Sequence, residues 1–320
     1  MRVLLILCFL FSGFLPSIGS VIPKDTSFTV HSAFLKEQKK FPFIQIAEPL
    51  VFDLIQSHLD CVYASRGDRE LHLDLFCPES NGERFPVVVL IHGGGWRSGS
   101  RSHQIPMATR LAAHGFVGVA VEYRLSPEAL YPASIYDIKA AIRWLRSQSD
   151  RFPVDTSRIA VLGCSSGAQV ATLIGCTNGL ETFEGSGGYA GYSSDVQAIV
   201  NMDGVVDFTC PEALKYENDP RKNPSAAGAW LGGDYETKPE LWTEASPVYY
   251  VNANTPPILF VNSSMPRFHA GRDAMLAKMD SLSIYNEVHT LPDTPHPFWL
   301  FHPWFEQCVE IVVGFLGKVF

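Results

Sequence analysis

A chain of 320 residues, 46% of them hydrophobic, carries enough apolar side chains for one large buried core. Its formal net charge of −8 speaks against nucleic acid as a partner and against an anionic membrane surface. Heptads, fixed-period repeats and low-complexity tracts are all missing from the sequence, which excludes coiled-coil and solenoid architectures.

Arg2 is followed by an apolar run over residues 3–15, then Pro16 and the small residues Ser17, Gly19 and Ser20. This is the three-part form of a secretory signal, with cleavage expected after Gly19. The run falls short of the ~20 residues needed to cross a bilayer, so export to the periplasm or medium is expected and a membrane anchor is not. Residues 20–60 read as an N-terminal extension with an amphipathic piece near 50–59. From 61 to 320 one domain is expected. Leu71-His72-Leu73-Asp74-Leu75-Phe76 alternates as a half-buried strand does. Strand 86–91, helix 105–114, strand 116–122, helix 133–147, strand 158–162, helix 166–176 and strand 196–202 follow. A polar, Gly/Pro-rich region at 208–247 suggests a lid or loop insertion. Strand 257–262, helix 271–281, strand 284–290 and helix 302–318 complete the chain. Strands as uniformly apolar as Val87-Val88-Val89-Leu90-Ile91 imply an α/β fold, with a mostly parallel sheet covered by helices on both faces.

Working residues in such a sheet lie at the carboxyl ends of the strands, and two motifs fall there. Gly163-Cys164-Ser165-Ser166-Gly167 joins the run Arg158-Ile159-Ala160-Val161-Leu162 to a helical segment. A serine on a sharp strand-to-helix turn needs small residues two before and two after it, because a Cβ there collides with its neighbours. The helix that follows favours negative charge at its N-terminus. Ser165 is therefore the candidate nucleophile. The second motif, His92-Gly93-Gly94-Gly95-Trp96, follows strand 86–91. Consecutive glycines let backbone N–H groups face a neighbouring site, so Gly93 and Gly94, with the N–H of Ser166, are the candidate oxyanion hole.

From about residue 60 onward the chain resembles an α/β-hydrolase of the esterase/lipase superfamily. The resemblance rests on both motifs, on Val121-Glu122-Tyr123-Arg124-Leu125-Ser126-Pro127, and on the helix Asp137-Ile138-Lys139-Ala140-Ala141-Ile142-Arg143-Trp144-Leu145. The HGGGW form resembles secreted bacterial carbohydrate esterases, including acetylxylan and feruloyl esterase-like proteins, more than long-chain lipases. The family order of serine, acid, histidine implies that His296, on a proline-stiffened loop after the last expected strand, is the base. The family position for the acid lies a few residues beyond strand 257–262, where the first carboxylate is Asp273. That residue is the expected acid, with Asp293 and Asp203 as substitutes and Asp207 as a structural turn residue. Helix capping is the competing role for Asp273.

These residues imply a serine esterase acting through an acyl-enzyme on a small ester or an esterified polysaccharide. A broad short-chain lipid or aryl esterase and a non-catalytic ligand-binding hydrolase fold are the alternatives. Trp96, Tyr216, Trp230, Tyr235 and Trp242 offer aromatic faces for sugar stacking, though packing of a lid's own small core is the readier role for any single one of them. Arg267 and Arg272 are candidates for holding a uronate carboxylate. No metal-ligand spacing occurs and the chemistry calls for no cofactor. Beyond Cys8, the cysteines at 61, 77, 164, 176, 210 and 308 allow fifteen full pairings, which the sequence does not rank.

Overall fold

Apolar runs bounded by turn residues become the strands of a central sheet in the computed structural model, which describes residues 25–320 except 52, 53 and 223. The expected signal segment, 1–19, lies outside the described residues. The strands are β1 (Gln45–Ile46), β2 (Ile55–Arg66), β3 (Arg69–Pro78), β4 (Phe85–Ile91), β5 (Val117–Val121), β6 (Val154–Cys164), β7 (Ala198–Met202), β8 (Ile258–Asn262), β9 (Asn286–Thr290) and β10 (Phe301–His302). The helices are α1 (Val30–Glu37), α2 (Ile105–Ala113), α3 (Ala133–Ser147), α4 (Ser166–Cys176), α5 (Pro211–Glu217), α6 (Ala226–Leu231), α7 (Pro239–Glu244), α8 (Arg272–Ser281) and α9 (Trp304–Val319).

Eight strands form one sheet in the order β2-β3-β5-β4-β6-β7-β8-β9. β3 pairs antiparallel with β2 and β5, and every pair from β5 to β9 is parallel. Successive residues of a strand point to opposite faces, and the core divides accordingly. Val87, Val89 and Ile91 pack with α3, α4 and α8 through Ile138, Leu173 and Met275. Val88 and Leu90 face the other way, against Met107 of α2 and Phe305 of α9. The sheet is thus covered on both faces, as its apolar strands require.

The N-terminal boundary needs correcting. Position 60 falls inside β2, which begins at Ile55 and so takes up the second half of the amphipathic piece near 50–59. β2 is an edge strand whose side chains are mostly half-exposed or exposed, so it lacks the apolar signature of its inner neighbours. The rest of the extension supplies α1 and β1, the latter pairing antiparallel with β10. The polar region at 208–247 contains α5, α6 and α7, each of six or seven residues. Trp230 and Trp242 are buried at its base, where they pack the insertion and leave no face free for a sugar.

The register of the parallel strands sets out the site. Cys164 of β6 lies beside Met202 of β7, and Met202 beside Val261 of β8. The next residue on each strand continues the ladder: Ser165 N–H donates to the Met202 carbonyl at 2.8 Å, and Asp203 N–H to the Val261 carbonyl at 3.1 Å. Ser165 and Asp203 therefore emerge side by side at the carboxyl edge.

Candidate active site

Ser165 occupies a backbone conformation that side chains rarely adopt, with φ 55° and ψ −123°, at the junction of β6 and α4. The flanking glycines are needed for space. A Cβ on Gly163 would sit 2.0 Å from the Gly167 carbonyl oxygen, and one on Gly167 would sit 2.3 Å from the Ile91 oxygen. The turn thereby presses the start of α4 against the end of β4, bringing the glycine loop to the serine. A Cβ on Gly93 would contact the Ser165 Cβ at 3.0 Å, which places the Gly93 backbone against the nucleophile. The first N–H groups of α4 have no partner within their own helix, and Ser166 contributes one of them next to Ser165. The structure thus brings to the serine both Gly93, in a loop that continues through Gly94, and Ser166, at the start of α4.

His296 follows β9, and its Nε2 lies 2.8 Å from Ser165 Oγ. Its Nδ1 lies 2.9 Å from Oδ2 of Asp203, which is wholly buried. The expectation for Asp273 is corrected: that residue sits in the first turn of α8, with a side chain 83% exposed and paired to its neighbour Arg272. Gly271, which starts α8, packs against Asp207, and a carboxylate in the first turn stays with the helix end it stabilises. Asp293 is exposed as well. Asp207 closes a turn by accepting the Thr209 N–H at 2.8 Å, the structural role its position suggests.

One signal for Asp203 was present in the sequence. Asn201-Met202-Asp203-Gly204 ends a strand with a carboxylate and a glycine, and no helix follows for the aspartate to cap. Asn201 ties the turn by accepting the Gly204 N–H at 2.8 Å and donating to the Gly204 carbonyl at 3.1 Å. Asp203 itself takes a positive φ of 55°.

The 3₁₀ turn Pro266–His269, after β8, stands where the family resemblance placed the acid, and it contacts the site with three consecutive residues. Phe268 lies flat on the His296 ring, centroids 3.4 Å apart. His269 Nε2 approaches the second oxygen of Asp203 at 3.6 Å, and the Ser263 N–H donates to that same oxygen at 2.7 Å. Arg267 pairs with Glu217 at 3.2 Å. Burial would raise the Asp203 carboxyl, but the imidazoles of His269 and His296 and the Ser263 N–H outweigh it and hold the acid below its ordinary range. Burial also pushes the His296 imidazole below its ordinary value, and the Asp203 carboxylate opposes that without cancelling it. Both groups are therefore set for neutral pH as a carboxylate and an uncharged base.

A cavity of about 110 Å³ opens beside Ser165, lined by Trp96, Val205, Glu217, Arg267 and Phe268 among others. Trp96 is 5% exposed, stacks on Trp230 at 5.1 Å, and donates its indole N–H to Gln169 at 2.9 Å. It is a fixed wall of the cavity. Arg272, by contrast, does not line it, because its guanidinium is engaged by Asn262 at 2.8 Å and by Asp273. Among the described residues no cluster of His, Cys, Asp and Glu suits a metal ion.

The parallel sheet, with its serine turn at one strand end and the base and acid at two others, is an α/β-hydrolase fold. Within it, the chain belongs to the BD-FAE family, whose model matches residues 73–282. The esterase LipQ of Mycobacterium tuberculosis is 28% identical over 79% of this chain and 61% of its own length. LipC, from the same organism and also named an esterase, is 32% identical over 56% of this chain and 44% of its own. The chain thus spans about half the length of the curated relatives it matches. A bifunctional GH43-CE protein of Bacteroides eggerthii superposes with a TM-score of 0.69 at 26% identity, over 82% of this chain and 38% of that one. A truncated carbohydrate esterase from gut microbiota gives 0.68 at 23% identity, over 85% of this chain and all of that one.

Proposed function

We propose that the protein is an exported serine esterase that removes acetyl or other small acyl or methyl groups from plant cell-wall polysaccharides. The observation that carries the reaction is the unbroken chain from Ser165 Oγ through His296 to Asp203, at 2.8 and 2.9 Å. His296 takes the Ser165 proton as the oxygen attacks the ester carbonyl, while Asp203 fixes the imidazole tautomer and stabilises the imidazolium. Backbone N–H groups of Gly93, Gly94 and Ser166 receive the oxyanion, each worth about 3 kcal/mol. His296 returns the proton to the departing alcohol. Water then attacks the acyl-enzyme with His296 as base, releasing the carboxylic acid and free serine.

The small cavity beside Ser165 favours a short acyl group over a long chain. Carbohydrate esterases among the structural neighbours favour a sugar as the alcohol, and the apolar run after Arg2 favours export. A short-chain aryl or lipid esterase is the second reading, supported by the mycobacterial relatives. The assembled triad argues against a non-catalytic fold. Acetate and methanol release from acetylated xylan, acetylated pectin and methylated pectin is the test, with Ser165→Ala as control. Serine-dependent release from a polymer is expected. Hydrolysis of p-nitrophenyl acetate without any polymer release would overturn the carbohydrate reading, and activity in Ser165→Ala would overturn the nucleophile.

A further inference from the structure

Glu217 and Arg267 both line the cavity beside Ser165, one ending α5 in the insertion and the other on the 3₁₀ turn after β8. One Arg267 Nη donates to one Glu217 oxygen at 3.2 Å. The other Glu217 oxygen accepts no hydrogen bond among the described residues, and the second Arg267 Nη donates none to a described residue. The guanidinium is held between two rings, its carbon 5.0 Å from the centre of Tyr216 and 4.5 Å from that of Phe268. The pair is therefore preorganised, and each member keeps one strong hydrogen-bonding position open.

The charges decide the kind of occupant. A uronate carboxylate approaching Arg267 meets the Glu217 carboxylate about one hydrogen bond away, on an arginine whose charge is already balanced. A neutral diol meets no such repulsion: one hydroxyl donates to the open Glu217 oxygen and its neighbour accepts from the second Arg267 Nη. The cavity is well below the several hundred Å³ of a site for a larger ligand, so the acyl group enters and the alcohol lies across its mouth. We infer that Glu217 and Arg267 form a subsite for adjacent hydroxyl groups on the sugar that carries the ester. This inference rests on the carbohydrate reading above and specifies which end of the substrate the pair recognises.

The test compares kcat/KM for an acetylated methyl xyloside with that for p-nitrophenyl acetate, whose leaving group has no adjacent hydroxyls. In Glu217→Gln and Arg267→Lys the ratio of the two is expected to fall about 10-fold or more, carried mainly by KM, as for lost hydrogen bonds to charged groups. An unchanged ratio in both folded variants would overturn the subsite, since damage to the fold lowers both reactions together. If one variant fails to fold, the other decides by the same ratio. A wild-type protein active on p-nitrophenyl acetate and inert on every acetylated glycoside would overturn the carbohydrate reading and the subsite with it.

Discussion

Asp203 and Asp273 follow Ser165 in the same chain order, and only three-dimensional placement separates them. Asp203 is wholly buried against His296, whereas Asp273 is exposed in the first turn of α8. Asp203→Asn is expected to lower kcat about a thousandfold or more, and Asp273→Asn to leave it within about twofold. Steady-state kinetics on p-nitrophenyl acetate checks both. His296 supplies a second expectation. An imidazole whose pKa is depressed stays an uncharged base at lower pH, so the acid limb of kcat/KM should have its midpoint below the ordinary value of about 6.5. A pH–rate profile with the midpoint above that value would contradict the burial argument. The serine and the glycine loop were legible because each sits in a motif with its own backbone requirement, and the histidine because the resemblance places the base on the loop after the last strand. The acid was not, because a lone aspartate after a strand carries no such requirement, and the family position drew attention to the wrong strand.

Among the elements, the turn between β6 and α4 is the most tightly specified. Gly167 packs against the carbonyl oxygens of Ile91 and His92, with 2.3 and 2.5 Å left for a Cβ. Gly314, on α9, has nothing within 4 Å of the same position. Gly167→Ala is expected to lower stability by at least the 1–3 kcal/mol typical of overpacking (about that range), and to abolish turnover. Gly314→Ala should be neutral or stabilising, since alanine is the better helix former. Thermal unfolding of the two variants tests the contrast. Helices α2, α3, α4, α8 and α9 were legible from their apolar spacing to within a residue or two of their observed ends. α5, α6 and α7 were not, because two turns or fewer leave too short a window for a 3.6-residue period to register.

Across the whole molecule, the apolar inner strands announced a parallel sheet, while the N-terminal edge stayed hidden because an edge strand is solvated along much of its length. Charge does part of the joining there. Asp137 of α3 is fully buried and receives Arg66 of β2 and Arg124 beyond β5, so the edge strand is anchored by a carboxylate of the helix packed on it. The six cysteines beyond residue 60 are all free thiols, four of them buried. Covalent cross-links are therefore not what holds these layers together.

The carboxylate beside His296 stands at the end of β7, yet its second oxygen accepts the backbone N–H of Ser263, immediately after β8. Two neighbouring strands thus end at one point in space, and the backbone of one steadies the carboxylate of the other. A change that displaces the end of β8 therefore moves the acid away from its imidazole, although it touches no member of the triad.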